Sequence, residues 1–313
     1  MKTALRNTAL VTGGSGFLGS VIADELVRRG YSVRVFDRQA SPHLQSGQEM
    51  IVGDIRDAEA LETAAQGCSH LFHLAALADL DHARDRPRDA AETNILGTIS
   101  ALDAARKNGV QRFLFASTVY VYSRAGGFYR CSKQACEAFI EEYQRKFDLP
   151  YTVLRYGSLY GPRSTKANGV FRLLSEAASG AVVRHVGSPE DTREYVHVED
   201  AARLTVDALA EEFENAHLTI TGQHPMRLKD LFTMFSEILG RRVQVDYQNP
   251  PEGQFDEHYR MTPYAFSPRV GRKLTSNHYV DMGQGILHLL EQIHEQALST
   301  EGAGADHSTE GEQ

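Results

Sequence analysis

The run Ala9-Leu10-Val11-Thr12-Gly13-Gly14-Ser15-Gly16-Phe17-Leu18-Gly19 constrains this chain more than any other stretch. It begins as an apolar strand. Gly13, Gly16 and Gly19 then follow at G-x-x-G-x-x-G spacing, and Val21 to Val27 repeat at helical period. Glycines so placed let the chain turn tightly, let backbone N–H groups approach a pyrophosphate, and let the helix pack close to the sheet. The phosphates of a dinucleotide then rest on the positive end of the helix that starts near Phe17 and Leu18. Gly30 closes that helix. Tyr31 to Asp37 reads as a second strand ending in an acid, about 20 residues after the glycines, where a ribose-binding carboxylate is expected.

Strands and helices alternate from Thr8 to about Tyr160. Met50 to Ile55 is a short strand region with Asp54 near its end. His70 to Ala76 is a buried strand running into small residues, Ala75 and Ala76 after Leu74, which let a cofactor lie close. Ala90 to Lys107 reads as a helix, Arg112 to Thr118 as a strand, Tyr129 to Phe147 as a helix and Tyr151 to Arg155 as a strand. The expectation is an α/β fold: a Rossmann-type doubly wound parallel sheet, with a small C-terminal substrate-binding lobe. The core is expected over 1–161 with later segments at about 195–222, the lobe over 162–194 and 223–298, and a disordered Gly/Ser/Glu-rich tail over 299–313.

The charge balance excludes some function classes. A net charge of -8 without a basic run argues against nucleic acid as a partner. There is no apolar stretch of about 18 residues and no leader-like pattern at Met1-Lys2-Thr3-Ala4, so the expectation is a cytoplasmic protein with no membrane partner. Cys68, Cys131 and Cys136 have no metal-ligand spacing and read as buried or inert thiols; no metal is expected.

The chemistry gathers after the strand ending in Ser117-Thr118. Tyr129 and Lys133 stand four residues apart on one helix and so share a face. A phenol is a poor base at neutral pH; a nearby ammonium and the positive ring of an oxidised nicotinamide favour its phenolate. Thr118 is placed to hydrogen-bond the same substrate oxygen.

With these residues the sequence resembles the extended short-chain dehydrogenase/reductase family, and within it the nucleotide-sugar epimerase/dehydratase group, over roughly residues 8 to 290. Thr12 to Gly19 matches T-G-x-x-G-x-x-G, Asp37 the adenosine-ribose acid, Asp54-Ile55 the pair beside the adenine, and His73 to Ala76 the H-x-A-A segment along the cofactor. Asn94 to Thr98 matches N-x-x-G-T, and Ser117-Thr118 with Val121-Tyr122 resembles S-[ST]-x-x-V-Y. Leu154 to Arg163 is similar to the segment reaching nicotinamide and substrate, and Arg193 to Asp200 resembles R-x-[FY]-x-x-V-x-D, whose arginine contacts substrate phosphate. The resemblance implies Thr118, Tyr129 and Lys133 as catalytic residues, and cofactor contacts at Asn94 and Tyr156 besides those above. It implies Ser158, Arg163 and Arg193 on the substrate side. His197 reads as a strand residue rather than a base.

Departures from the family pattern narrow the reaction. Val119 and Tyr120 stand where dehydrating relatives carry an Asp-Glu pair, and the Glu usual in decarboxylating relatives is missing. Oxidation at C4, ring rotation and re-reduction need only Thr118, Tyr129, Lys133 and the cofactor. The expectation is therefore an NAD-dependent epimerase of a nucleotide sugar, a UDP-sugar first. The alternatives are a dehydrogenase or reductase with net redox, and a non-catalytic nucleotide-binding regulator. Asp37 favours NAD, because a carboxylate binds two ribose hydroxyls and repels a 2′-phosphate; Arg38 beside it softens that exclusion. The helices at Ala90–Lys107 and Tyr129–Phe147 are expected to form a homodimer interface.

Overall fold

The computed structural model describes residues 7–249, 260–263 and 272–305. Its strands are β1 (Thr8–Thr12), β2 (Ser32–Asp37), β3 (Gln48–Val52), β4 (His70–His73), β5 (Arg112–Thr118), β6 (Tyr151–Tyr156), β7 (Ser158–Tyr160), β8 (Val183–Val186), β9 (Thr192–Arg193), β10 (Tyr195–His197), β11 (Ala216–Ile220), β12 (Met226–Arg227), β13 (Val245–Gln248) and β14 (Arg272–Lys273). The helices are α1 (Phe17–Arg28), α2 (Ala58–Ala65), α3 (Leu80–Asp85), α4 (Pro87–Ala90), α5 (Gly97–Lys107), α6 (Gly127–Phe147), α7 (Gly169–Ser179), α8 (Val198–Asp207), α9 (Leu228–Ile238) and α10 (Met282–Ala305).

Eight strands form one sheet in the order β14-β11-β6-β5-β4-β1-β2-β3, and its pairings are parallel throughout. The chain builds β1, β2 and β3 outward to one side, then returns to lay β4, β5, β6 and β11 on the other. The order reverses between β1 and β4, and a doubly wound sheet binds its ligand outside the strand ends at such a reversal.

The central strands are buried on both faces and so read as continuous apolar runs. On one face, Ile22, Ala23 and Leu26 of α1 join Ala201, Ala202 and Leu204 of α8 in a single core. On the other, Leu61 of α2, Leu102 of α5 and Ile140 of α6 close over Leu71, Phe113 and Phe115. Each such side chain contributes about 1.5–3 kcal/mol when fully buried. A third core, with Phe171 and Leu174 of α7, Leu231 and Phe235 of α9, and Ile286 and Leu289 of α10, stands apart from the sheet.

Several expectations are corrected. The helix expected over Ala90–Lys107 is continuous but not uniform: α4 passes into a π-helical turn, Ala91–Leu96, which passes into α5. The segment holding Arg193 and His197 forms two short strands, β9 pairing β12 and β10 pairing β7. The strand β8, absent from the sequence reading, pairs β13. The final helix runs through Ser299 to Ala305, where a disordered tail is expected from residue 299; residues 306–313 lie outside the described residues, as does most of the proline-rich stretch from Asn249 to Pro268. Cys68 and Cys136 are buried, and Cys131 is exposed. No helix among the described residues is long and apolar enough to cross a membrane.

Candidate active site

The glycine loop is held by its neighbours. The Gly13 N–H donates to the Phe36 carbonyl at 2.8 Å, and the Gly16 N–H to the Gly13 carbonyl at 3.1 Å. Gly13 has φ +71°, and a β-carbon on it would stand 2.6 Å from the Ala75 nitrogen. A β-carbon on Gly19 would stand 2.2 Å from the Gly13 carbonyl oxygen. These positions accept glycine alone, which explains the spacing read from the sequence. Gly16 caps α1 without a side-chain hydrogen bond, and the first residues of the helix, Phe17, Leu18 and Gly19, line the cleft.

Gly13, Gly16, Phe17, Leu18, Asp37, Arg38, Asp54, Ile55, Leu74, Ala75 and Ala76 all line one cleft of about 520 Å³, which reaches Thr118, Tyr129, Lys133 and Tyr156 at its far end. Asp37 closes β2 and accepts from the Ser15 N–H at 3.1 Å and the Gln39 N–H at 3.3 Å. Asp54 is gripped by Arg56 at 2.6 Å, and that hydrogen bond holds its carboxyl below the usual carboxylate range.

Asn94 is not a wall of this cleft. It is buried on the π-helical turn, where its side chain accepts from the Leu77 N–H at 2.7 Å, donates to the Leu77 carbonyl at 3.0 Å, and donates to Ser132 Oγ at 2.9 Å. Its amide thus fixes the loop after β4 rather than reaching the cofactor. The neighbouring Thr93 lines the cleft instead. Behind the same loop, His73 Nδ1 lies 2.7 Å from Thr12 Oγ1 and Nε2 lies 3.1 Å from Thr98 Oγ1. Burial pushes the His73 pKa down to about 3, so the ring is a neutral strut.

At the far end, α6 faces β5. The Tyr129 hydroxyl is enclosed and hydrogen-bonded to the Thr118 side chain. Lys133 Nζ donates to the Ala116 carbonyl at 2.7 Å, lies 4.6 Å from the Phe115 ring centroid and 5.9 Å from that of Tyr129. Burial lowers the Lys133 pKa to about 8. Burial also raises the Tyr129 phenol, against the expectation that Lys133 favours its phenolate. A positive charge added in the cleft would lower the phenol again.

A second cavity, of about 300 Å³, opens beside the first and shares Thr118, Tyr120, Tyr156, Gly157 and Leu159 with it. Ser158 and Arg193 line this cavity, together with Asn168 and Arg172 at the start of α7. Arg163 does not. It has φ +66° and pairs with Asp24 of α1 at 2.6 Å, in a separate surface hollow. The turn at Gly161-Pro162 carries its side chain toward α1, so its expected substrate contact is withdrawn. His197 ends β10, buried against Tyr160 with ring centroids 5.3 Å apart, as a strand residue.

The sequence reading missed Tyr120, whose ring stands edge-on to Tyr129 with centroids 6.5 Å apart. It also missed Glu137 and Arg155, which pair at 2.7 Å with side chains 2% and 1% exposed. The signal for Glu137 was present: an acid at four-residue spacing after Lys133, on the face that α6 buries. Among the described residues no group of His, Cys, Asp and Glu is placed to hold a metal.

The family model for the NAD dependent epimerase/dehydratase family matches residues 9–220. The chain belongs to that family. The match spans β1 through β11, and so contains the whole cleft. Among solved structures, UDP-glucose 4-epimerase of Thermotoga maritima, determined with UDP-glucose, is 27% identical, with a TM-score of 0.80 over 93% of this chain and 99% of the other. UDP-glucose 4-epimerase of Thermus thermophilus, in complex with NAD, is 26% identical, with a TM-score of 0.77 over 92% and 99%. A UDP-N-acetyl-alpha-D-glucosaminuronate decarboxylase of Bacillus cytotoxicus is 27% identical over 72% of this chain and 78% of its own length. The chain's relatives thus include both epimerases and a decarboxylase.

The residues present fit the NAD of this family. Gly13 meets Ala75 without room for a β-carbon, which leaves the backbone at the α1 N-terminus open to a pyrophosphate. Asp37 stands at the end of β2 and lines the same cleft.

Proposed function

We propose that this protein is an NAD-dependent 4-epimerase of a nucleotide sugar, with a UDP-hexose as substrate. The observation that carries the reading is the meeting of the two cavities. Thr118, Tyr120, Tyr156, Gly157 and Leu159 line both, with Tyr129 and Lys133 on the cofactor side, and neither Val119 nor Tyr120 supplies a carboxyl. Elimination of water needs an acid and a base of its own beside the sugar. Epimerisation does not.

When bound, NAD supplies a hydride acceptor that becomes the donor once the sugar has turned. The remaining work falls to side chains. Thr118 holds the C4 oxygen by its hydroxyl. Tyr129 Oη takes the C4 hydroxyl proton during oxidation and returns it during reduction, so the proton balance closes within one turnover. Lys133, tied to the Ala116 carbonyl, fixes the phenol's side of the helix. Arg193, with Asn168 at the head of α7, is suited to the diphosphate. Ser158 meets the sugar.

The homodimer is part of this proposal. Leu96 is 56% exposed and Phe139 of α6 is 41% exposed, and the π-helical turn packs against α6. A second copy of the chain covers them, and sedimentation at micromolar concentration as a clean monomer would remove the dimer. A cytoplasmic location is proposed with it, since this substrate class is a soluble anion.

The proposal is tested by denaturing purified protein and identifying the released nucleotide by absorbance and mass. Tightly held NAD near one per chain supports recycling within each turnover. A protein that comes free of nucleotide and needs added NAD in stoichiometric amounts points to net redox instead.

A further inference from the structure

Tyr129, Lys133 and Glu137 follow one another by single turns along α6, and they grip three consecutive residues of β5. The Tyr129 hydroxyl bonds Thr118, Lys133 Nζ donates to the Ala116 carbonyl at 2.7 Å, and Glu137 accepts from Ser117 Oγ at 2.5 Å. Two of the three contacts involve the reacting groups. The third belongs to a buried carboxylate that the mechanism above does not use.

That carboxylate is elaborately held. Arg155 donates to it through Nε at 3.1 Å and through an Nη at 2.7 Å. Arg155 stands on β6 directly across from Ser117 in the parallel register. Its other Nη donates to the Tyr122 hydroxyl at 2.5 Å, and the guanidinium carbon lies 4.6 Å from the Tyr122 ring centroid. His217 Nδ1 of β11 lies 2.9 Å from an Arg155 Nη and 3.6 Å from Glu137, and its Nε2 lies 3.1 Å from Glu141 of α6. Thr219 Oγ1 lies 3.4 Å from the Tyr122 hydroxyl. The cluster thus joins α6 to β5, β6, β11 and the turn after β5.

We propose that Glu137 and Arg155 are positioning residues, a buried ion pair that locks the helix bearing Tyr129 and Lys133 to the strand end bearing Thr118. The inference rests on Thr118, Tyr129 and Lys133 being the reacting groups. Burying two charges is costly, and apolar residues of the same volume commonly hold a core as well. What an ion pair adds is direction: forked N–H donors and two carboxylate oxygens fit in one arrangement only. Fixing Ser117 fixes the backbone of Thr118, whose side chain points the other way. Fixing Glu137 sets the rotation of α6, and with it Tyr129 and Lys133. A displacement near 1 Å at such a site costs on the order of 10²-fold in rate.

The test uses the NAD-loaded enzyme and its Glu137→Gln and Arg155→Met variants, with Tyr129→Phe as reference. Three quantities are read: bound NAD, the split between kcat and KM for a UDP-hexose, and the phenolate titration by ultraviolet difference against Tyr129→Phe. The pair as a positioning device predicts NAD retained, KM within about threefold, kcat reduced about 10- to 100-fold, and a displaced Tyr129 titration. The double variant then falls no further than the worse single one, because the two act as a unit. Folded variants with wild-type kcat and wild-type titration overturn the inference, whatever their melting temperature. Where Glu137→Gln does not fold, Ser117→Ala removes one arm of the lock, and an unchanged kcat and titration there overturn it equally. Failure of the wild type to turn over any UDP-hexose would sink the proposed substrate, while the titration still decides the positioning role.

Discussion

The Lys133 ammonium lies 2.7 Å from the Ala116 carbonyl oxygen, and so its nearest partner is strand β5 rather than the phenol of Tyr129. The two residues share a helix face, as their spacing requires. Even so, Tyr129 is raised by burial and takes its hydrogen bond from the Thr118 side. Burial lowers the Lys133 pKa to about 8.

In the proposed reaction Tyr129 carries the proton, so Tyr129→Phe is expected to lower kcat by about 10²–10⁴-fold, the usual span for a removed general base. Bound NAD should be unchanged. Single-turnover kinetics with the nucleotide content measured in parallel checks both. A variant with near-wild-type kcat would remove Tyr129 from the reaction.

Asp37 takes two backbone N–H groups at the end of β2 and faces the cleft. Hydrogen bonds to a charged group contribute about 1.5–3 kcal/mol each. Asp37→Ala is therefore expected to weaken NAD about 10- to 100-fold by calorimetry. Equal affinity in both proteins would place the ribose elsewhere.

Gly13→Ala should be among the most damaging small substitutions. The left-handed backbone costs an alanine about 1–2 kcal/mol, and its β-carbon would stand 2.6 Å from the Ala75 nitrogen. A lower melting temperature together with loss of bound NAD is expected. Retention of both would mean that the loop after β4 moves aside freely.

Arg193 and Arg163 looked alike in the sequence and differ in the fold. Arg193→Ala is expected to raise KM for a UDP-hexose about 10- to 100-fold, the value of a charged hydrogen bond. Arg163→Ala removes a pair to Asp24 whose side chains are 23% and 21% exposed, so it should leave KM unchanged and cost at most about 1 kcal/mol of stability. Steady-state kinetics of the two variants separates them.

Much of this was legible because local chemistry dictated it. The glycine spacing at Gly13 and Gly19 follows from close backbone contacts that no other residue permits. The Tyr129–Lys133 spacing follows from helical period. What was not legible depends on the path of the chain in three dimensions. Arg163 is turned away by a positive-φ residue in a tight turn. Asn94 is consumed by Leu77 and Ser132, residues distant in sequence. Glu137 and Arg155 stand 18 residues apart, and no periodicity links an acid on a helix to a base on the next strand.

Acid should reveal the buried pair. Burial raises the Glu137 carboxyl, but the nearby His217 ring and the hydrogen bonds from Arg155 and Ser117 outweigh it and hold the pKa at about 2, below the ordinary 4.5. A carboxyl lowered on folding contributes stability that is complete above 4.5 and lost as the pH falls toward 2. The difference in unfolding free energy between wild type and Glu137→Gln should therefore shrink below pH 4.5, by a total on the order of 3 kcal/mol. Urea unfolding across that range measures it, and a difference that stays constant would show that the carboxyl is not held ionised.

The most direct test of the whole account is to incubate the purified enzyme with UDP-glucose, with no added redox partner, and follow the sugar protons by NMR alongside absorbance at the wavelength of reduced nicotinamide. The account predicts a mixture of UDP-glucose and its C4 epimer, with no net growth in absorbance over many turnovers. Reduced cofactor accumulating in step with an oxidised sugar, or a dehydrated or decarboxylated product, would contradict it.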